Sequence, residues 1–299
     1  MNAEAYGNFS GKRLVIFGCG YIGGELARGA LVRGLRVTAL TRNEATAAAL
    51  RVAGAGTVVT DLASDEWHAR VEGGADFAVN CVSSGGAGLE GYRRSYVAGM
   101  ESVLQWARAR GAAGTLLYTG STSVYPQDGG VRVDEEAATD GAGERGKILL
   151  EAEARLRACD HACARWFVLR LAGIYGPCRH GLLDQVRAGE IAGRGEHRLN
   201  LAYRDDICAA VWLALGAPSM IANEIFNVAD DRAARKSEIA DWLAARLGLP
   251  PPRFTGGPVT GRRPVVPDRI VANDKIKAML GWRPSCPTFR EGYEKILSR

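Results

Sequence analysis

The reading of this chain turns on one stretch, Leu14-Val15-Ile16-Phe17-Gly18-Cys19-Gly20-Tyr21-Ile22-Gly23. Apolar, β-favouring residues run straight into a G-x-G-x-x-G pattern, and apolar positions at helical spacing follow to residue 33. A strand, a glycine-rich turn and a helix in that order are what a dinucleotide-binding βαβ unit requires. The first glycine permits the tight turn, the second lets backbone approach a pyrophosphate, and the third lets helix pack closely on strand. The helix start adds N–H donors and the positive end of its dipole. Gly18, Gly20, Tyr21, Ile22 and Gly23 are therefore candidate cofactor-binding residues.

Outward from that turn, apolar and β-branched runs recur at residues 37–40, 57–60, 77–82, 116–119 and 167–171. Helix-period stretches lie between them, notably at 22–33, 92–110 and 147–159. Continuous apolar strands separated by helices predict a parallel sheet covered on both faces, a doubly wound α/β fold. After Gly173 the rhythm breaks. Helices are expected at 182–188, 206–215, 236–247 and 273–280, a strand at 225–228, and a Pro- and Gly-rich stretch at 250–267. The expected division is a dinucleotide-binding domain over 11–172, rejoined by 205–230, and a smaller substrate lobe from 173–204 and 231–299.

Composition narrows the classes further. The chain of 299 residues is 47% hydrophobic and 24% charged, ordinary for a globular protein able to bury a large core. The net charge of +5 is mild and its basic residues are scattered, so no nucleic-acid face is expected. The best membrane candidate, the uncharged stretch 207–222, is broken by Gly216 and Pro218 and is too short to span a bilayer. No signal peptide is visible in the first ten residues, and seven irregularly spaced cysteines suit reduced thiols in the cytoplasm. Cys159-Asp160-His161-Ala162-Cys163 lacks the second ligand cluster that a structural zinc site needs, so no metal is expected.

The end of the second strand indicates the cofactor. An acidic residue near that point usually binds the ribose hydroxyls of NAD. Here Thr41-Arg42-Asn43 stands instead, and a guanidinium pairs well with a phosphate, so NADP(H) is expected. Asp61 and Leu62, after the third strand, fall where such folds line the adenine pocket.

With these residues, the segment from Tyr118 through Gly120-Ser121-Thr122-Ser123-Val124-Tyr125, Lys147, and Tyr175-Gly176-Pro177 complete a pattern. It resembles the extended and atypical short-chain dehydrogenase/reductases, more narrowly the NAD(P)-dependent epimerase/dehydratase-like group. Asp205-Asp206, Phe226-Asn227-Val228-Ala229-Asp230 and Leu280-Gly281-Trp282-Arg283-Pro284 extend the likeness from about residue 12 to 293. The resemblance implies a Rossmann fold and a site in which Ser, Tyr and Lys act together. In that family the tyrosine moves a proton while hydride moves to or from nicotinamide, and Lys⁺ lowers the tyrosine pKa. Ser121 matches the serine and Lys147 the lysine, which also holds the ribose. The tyrosine's own position, four residues before Lys147, holds Gly143.

Tyr125 is expected to supply the missing proton, with Tyr175 or an ordered water as alternatives. Tyr175 and His180 are the expected substrate-facing residues, joined by the 250–267 segment as a pocket wall. Gly173 stands where nucleotide-sugar enzymes of the group often carry Asn, which argues against a nucleotide sugar. The expected activity is NADP(H)-dependent oxidation or reduction of a small carbonyl, imine or alcohol. An epimerase or dehydratase of the same fold, or an NADP(H)-binding sensor without chemistry, are the alternatives. The expected partner is a small-molecule substrate, and a homodimer is left open.

Overall fold

The computed structural model describes residues 7–84, 88–257 and 267–298. The first elements are β1 (Arg13–Phe17), α1 (Gly23–Val32), β2 (Arg36–Thr41), α2 (Glu44–Val52), β3 (Gly56–Val59) and β4 (Phe77–Asn80). α3 (Gly88–Arg93), a π-helical turn (Arg94–Ala98) and α4 (Gly99–Arg110) lead into β5 (Ala113–Ser121). Then come β6 (Val131–Val133), α5 (Glu144–Arg157), β7 (Cys163–Leu171) and β8 (Gly173–Tyr175). α6 (Gly181–Arg187), β9 (Glu190–Ile191), β10 (Arg198–Leu199), β11 (Leu201–Tyr203), α7 (Arg204–Leu215) and β12 (Glu224–Val228) follow. The chain closes with β13 (Ala234–Arg235), α8 (Lys236–Leu247), β14 (Arg253–Phe254), β15 (Arg269–Val271), α9 (Asp274–Leu280) and α10 (Phe289–Leu297).

Seven strands form one sheet in the order β12-β7-β5-β4-β1-β2-β3, and every neighbouring pair is parallel. This is the doubly wound α/β fold expected from the alternating runs. Strand β1 shows why the sequence chooses it. Leu14 and Ile16 enter one apolar cluster, with Leu26, Ala30 and Trp212, on one face of the sheet. Val15 and Phe17 enter a second, with Trp67, Met100 and Trp106, on the other. Successive side chains of a strand point to opposite faces, so a strand covered on both must be apolar throughout. Burying each such side chain stabilises the fold by roughly 1.5–3 kcal/mol.

The chain winds from β1 outward to β3, then crosses back to set β4 on the other side of β1. The strand order reverses there, and a crevice opens outside the carboxyl ends of β1 and β4. The helix expected over 92–110 is interrupted by the π-helical turn, where Ser95 donates to the Gly91 carbonyl at 2.8 Å. Such turns redirect side chains within a helix. This one places Ser95 on the crevice wall and Arg94 against Asp61.

A third apolar cluster, including Tyr175, Leu183, Tyr203, Leu243, Phe289 and Tyr293, gathers beyond the sheet. Short pairs surround it: β8 with β11, β9 with β14, and β10 with β13. Of the Pro- and Gly-rich stretch expected to wall the substrate pocket, residues 258–266 lie outside the described residues. Helix α10, absent from the sequence reading, is started by Thr288 and Glu291, whose side chains cap one another's backbone. Among the described residues, no helix is long and apolar enough to cross a membrane, and no group of three or more His, Cys, Asp or Glu side chains is placed to hold a metal.

Candidate functional site

A cleft of about 330 Å³ opens at the carboxyl ends of the central strands. Gly18, Gly20, Thr41, Arg42, Asp61 and Leu62 line it, so the structure brings together these expected cofactor residues. Each glycine of the turn has a separate physical reason. Gly18 has φ +88°, and a Cβ there would stand 2.7 Å from the Val82 Cα. A Cβ on Gly23 would stand 2.3 Å from the Gly18 carbonyl oxygen. At Gly20 a Cβ would meet nothing within 4 Å, because its Cα faces the open cleft. The turn is pinned by Gly18 and Cys19 backbone N–H groups donating to the Leu40 carbonyl at 3.0 and 3.1 Å. Helix α1 starts at once after it, with no side chain capping its first N–H groups. The Gly24 N–H donates to the Gly20 carbonyl at 2.9 Å, and an uncapped helix start of this kind offers its remaining N–H groups to anions.

The rim at β2 follows from local hydrogen bonding. Asn43 caps α2 by accepting from Thr46 N–H at 2.8 Å, and its own N–H donates to Thr41 Oγ1 at 3.2 Å. Asn43 is thus committed to the helix, and Arg42 is left exposed on the cleft wall. Across from it, Asp61 accepts from Arg94 Nε at 3.0 Å and from Ala63 N–H at 3.1 Å. Partial burial raises its carboxyl, but these donors and the positive charges of Arg94 and Arg42 outweigh that and hold it below the usual carboxylate range.

Tyr21 closes one end of the turn. Its hydroxyl donates to the Pro177 carbonyl at 2.9 Å, and the Arg179 and Arg204 guanidiniums sit 5.4 and 5.6 Å from its ring. Burial pushes the phenol up to about 12, against the lowering charges of the two arginines. Tyr21 therefore joins the glycine turn to the Tyr175-Gly176-Pro177 loop as a neutral phenol. Sequence reasoning missed Cys81, Val82, Ser83 and Ser95, which also line the cleft. The first three follow β4, whose end must lie beside β1 once the winding is known.

The expected catalytic residues are placed differently. Ser121 ends β5, half-buried, and accepts from Ser123 N–H at 3.2 Å. Gly146 packs α5 onto that turn, since a Cβ there would stand 3.0 Å from the Ser123 carbonyl. The start of α5 thus brings Lys147 to the same end of the sheet. Lys147 Nζ donates to Glu144 at 3.1 Å, with both side chains largely exposed, a pair too weakly held to fix the lysine. Gly143 caps the helix, and a Cβ there would meet open space.

Tyr125 is not brought to the cleft. It is 1% exposed, its hydroxyl donates to Asn227 Oδ1 at 2.8 Å, and it accepts from Arg170 Nη1 at 2.9 Å. Arg170 also makes a buried double hydrogen bond to Glu153, at 3.1 and 2.7 Å. Tyr175 is buried too, its hydroxyl directed at α10, where a Cβ on Gly292 would lie 1.9 Å away. Burial raises both phenols above their ordinary value. His180 stands before α6, with Nδ1 3.1 Å from Asp184.

A glycine cradle at the switch point of a doubly wound parallel sheet, with a basic rim and with Ser121 and Lys147 at the neighbouring strand end, defines an NAD(P)-dependent Rossmann enzyme. The model of the NAD dependent epimerase/dehydratase family matches residues 14–229, and the chain belongs to that family. It is 27% identical over 269 residues to Protein YeeZ of Escherichia coli K12, covering 88% of this chain and 94% of that one. It is also 27% identical over 255 residues to the 2-alkyl-3-oxoalkanoate reductase of Stenotrophomonas maltophilia, covering 80% and 76%. The structure of DesIV, a dTDP-glucose 4,6-dehydratase from Streptomyces venezuelae with NAD and TYD bound, superposes with a TM-score of 0.81. Their identity is 21%, over 96% of each chain.

Proposed function

We propose that the chain is an NADP(H)-dependent oxidoreductase acting on a small carbonyl, imine or alcohol. The observation that carries this reading is the cradle at Gly20 with Arg42 exposed at its rim and no acidic side chain in the ribose position. The Gly20 backbone and the start of α1 would hold the pyrophosphate, Arg42 the 2′-phosphate, and Asp61 and Leu62 the adenosine end. When bound, the nicotinamide supplies or accepts hydride. Lys147, held only by a surface pair, swings to the nicotinamide ribose, and Ser121 orients the reacting oxygen or nitrogen. His180 contacts the substrate from the loop after β8.

Neither Tyr125 nor Tyr175 presents its hydroxyl to the cleft, so the proton comes from water at Ser121 or from the substrate itself. Tyr125 instead belongs to the buried network of Arg170 and Asn227. An imine that enters already protonated needs no phenol, which suits a chain with Gly143 in the tyrosine's position. Reductases among its relatives support redox turnover over epimerisation.

The test is cofactor titration followed by NADPH consumption on a panel of carbonyls and imines. NADPH is expected to bind more tightly than NADH, and Arg42→Ala to close the gap by weakening NADPH roughly 10-fold or more, about 1.4 kcal/mol. Ser121→Ala should lower kcat with cofactor affinity kept. Equal affinities for the two cofactors in the parent would overturn the NADP(H) assignment.

A further inference from the structure

The Cys159-Asp160-His161-Ala162-Cys163 segment has no part in the cofactor cleft. It joins α5 to the amino end of β7, whereas the cleft lies at the carboxyl ends of the strands. The two sulfur atoms stand 3.1 Å apart. A compact turn holds them there: Asp160 N–H donates to the Ala158 carbonyl at 2.9 Å and Ala162 N–H to the Cys159 carbonyl at 2.8 Å. His161 takes the left-handed conformation, φ 60°, that lets the chain reverse. Bringing the sulfurs to bonding distance needs a further approach of about 1 Å.

We propose that Cys159 and Cys163 are a redox-active thiol pair that forms a reversible disulfide when a hydroperoxide reaches it. The pair differs chemically from Cys19, Cys81, Cys208 and Cys286. Burial pushes Cys19 and Cys81 up to about 12 and raises Cys208 and Cys286, so these stay protonated. Cys159 is lowered from its ordinary value, chiefly because the Cys163 thiol donates to its sulfur, with the charge of Arg108 adding to the effect. Arg108 is anchored beside it by an Nε bond to the Asp160 carbonyl at 3.3 Å. Cys163 is raised, first by that same bond to Cys159. One thiol is set up as the nucleophile and the other as its proton-bearing partner.

The steps balance as follows. The Cys159 thiolate attacks a peroxide oxygen, the O–O bond breaks, and hydroxide leaves as water after taking a proton, giving a sulfenic acid. That removes the negative charge that kept Cys163 protonated. The Cys163 sulfur attacks the sulfenic sulfur, the S–S bond forms, the S–O bond breaks, and water leaves with the thiol proton. The two thiols lose two electrons and two protons, and hydrogen peroxide is reduced to water. A dithiol reductant reverses the bond.

The test uses the whole folded chain, exposed to limiting hydrogen peroxide, alkylated and mapped after trypsin. Cleavage after Arg157 and Arg165 leaves both cysteines in one peptide, residues 158–165. That peptide is expected to lose two hydrogens, to resist alkylation, and to recover both thiols with dithiothreitol. Dimedone should trap a sulfenic acid on Cys159 in Cys163→Ser, and Cys163 should remain a thiol in Cys159→Ser. Recovery of the parent peptide with both thiols alkylated, while exposed Cys178 is oxidised in the same sample, would overturn the proposal. So would a sulfenic acid on Cys163 in Cys159→Ser. Mapping of the parent chain decides the matter even if a variant fails to fold.

Discussion

At Gly20 a single hydrogen atom in place of a side chain sets what the cleft admits. Its Cβ position is open in the empty cleft, whereas those of Gly18 and Gly23 are filled by backbone. Gly20→Val should therefore leave the fold intact and weaken NADPH binding by roughly 10²-fold or more, about 3 kcal/mol. Thermal unfolding and cofactor titration read the two effects separately; normal NADPH affinity in the variant would move the pyrophosphate elsewhere. Gly18→Ala and Gly23→Ala should instead destabilise the fold itself. The three glycines and their division between fold and ligand were legible in the motif; the tertiary structure added that Val82, after β4, fills the Cβ position at Gly18. Arg42 was readable from sequence for a related reason: it is local, next to a strand end. Its exposure depends on Asn43 being committed to capping α2.

Among the elements, the buried Arg170–Glu153 pair, with Tyr125 and Asn227, ties β7, α5, the turn after β5 and β12 together. The Asn227 N–H donates to Glu135 at 2.7 Å, extending the network to the segment after β6. A buried charge is tolerable only with its hydrogen bonds complete, so each member holds the others in place. Tyr125→Phe removes a hydroxyl used by two partners and should cost about 1–3 kcal/mol of stability while leaving kcat close to the parent value. Urea unfolding and steady-state rates check this together. A fall in kcat of roughly 10² without loss of stability would instead make the phenol a proton donor. The sequence offered Tyr125 because it follows Ser121 by four residues. It could not show that the turn after β5 points the ring away from the cleft and into the sheet's packing layer.

Across the whole molecule, the ends of β11 and β12 meet the third apolar cluster, and Asp230 is caught there. It is 5% exposed, and no side chain among the described residues donates to its carboxylate. Burial pushes its carboxyl up to about 8 against the lowering effect of the Arg232 backbone N–H, with the charges of Asp231 and Glu291 adding to the rise. The unfolded chain releases this proton near the ordinary value of 3.8, the folded chain only near 8. Between those values the folded state holds more protons, so stability falls as pH rises through the window, and the full cost is present above about pH 8. Asp230→Asn removes the charge. It should stabilise the chain by several kcal/mol (on the order of 5 at most) near pH 9 and much less near pH 5. Urea unfolding at both pH values measures the difference; an equal effect at the two would show that Asp230 is already charged when folded.

The sequence by itself determined the doubly wound sheet, its cofactor turn and its family. These rest on short-range patterns: apolar runs of strand length, helix-period stretches, and glycines spaced within six residues. Strands buried on both faces cannot be written any other way. Only the tertiary structure decided which hydroxyls reach the cleft and which thiols meet. Tyr125, Tyr175 and Cys163 take their surroundings from partners far along the chain or from a turn's handedness. A single turn of 3-10 helix, Thr122–Val124, separates Ser121 from Tyr125 and sets the ring's direction, so proximity in sequence to Ser121 carried no information about where the phenol oxygen would end.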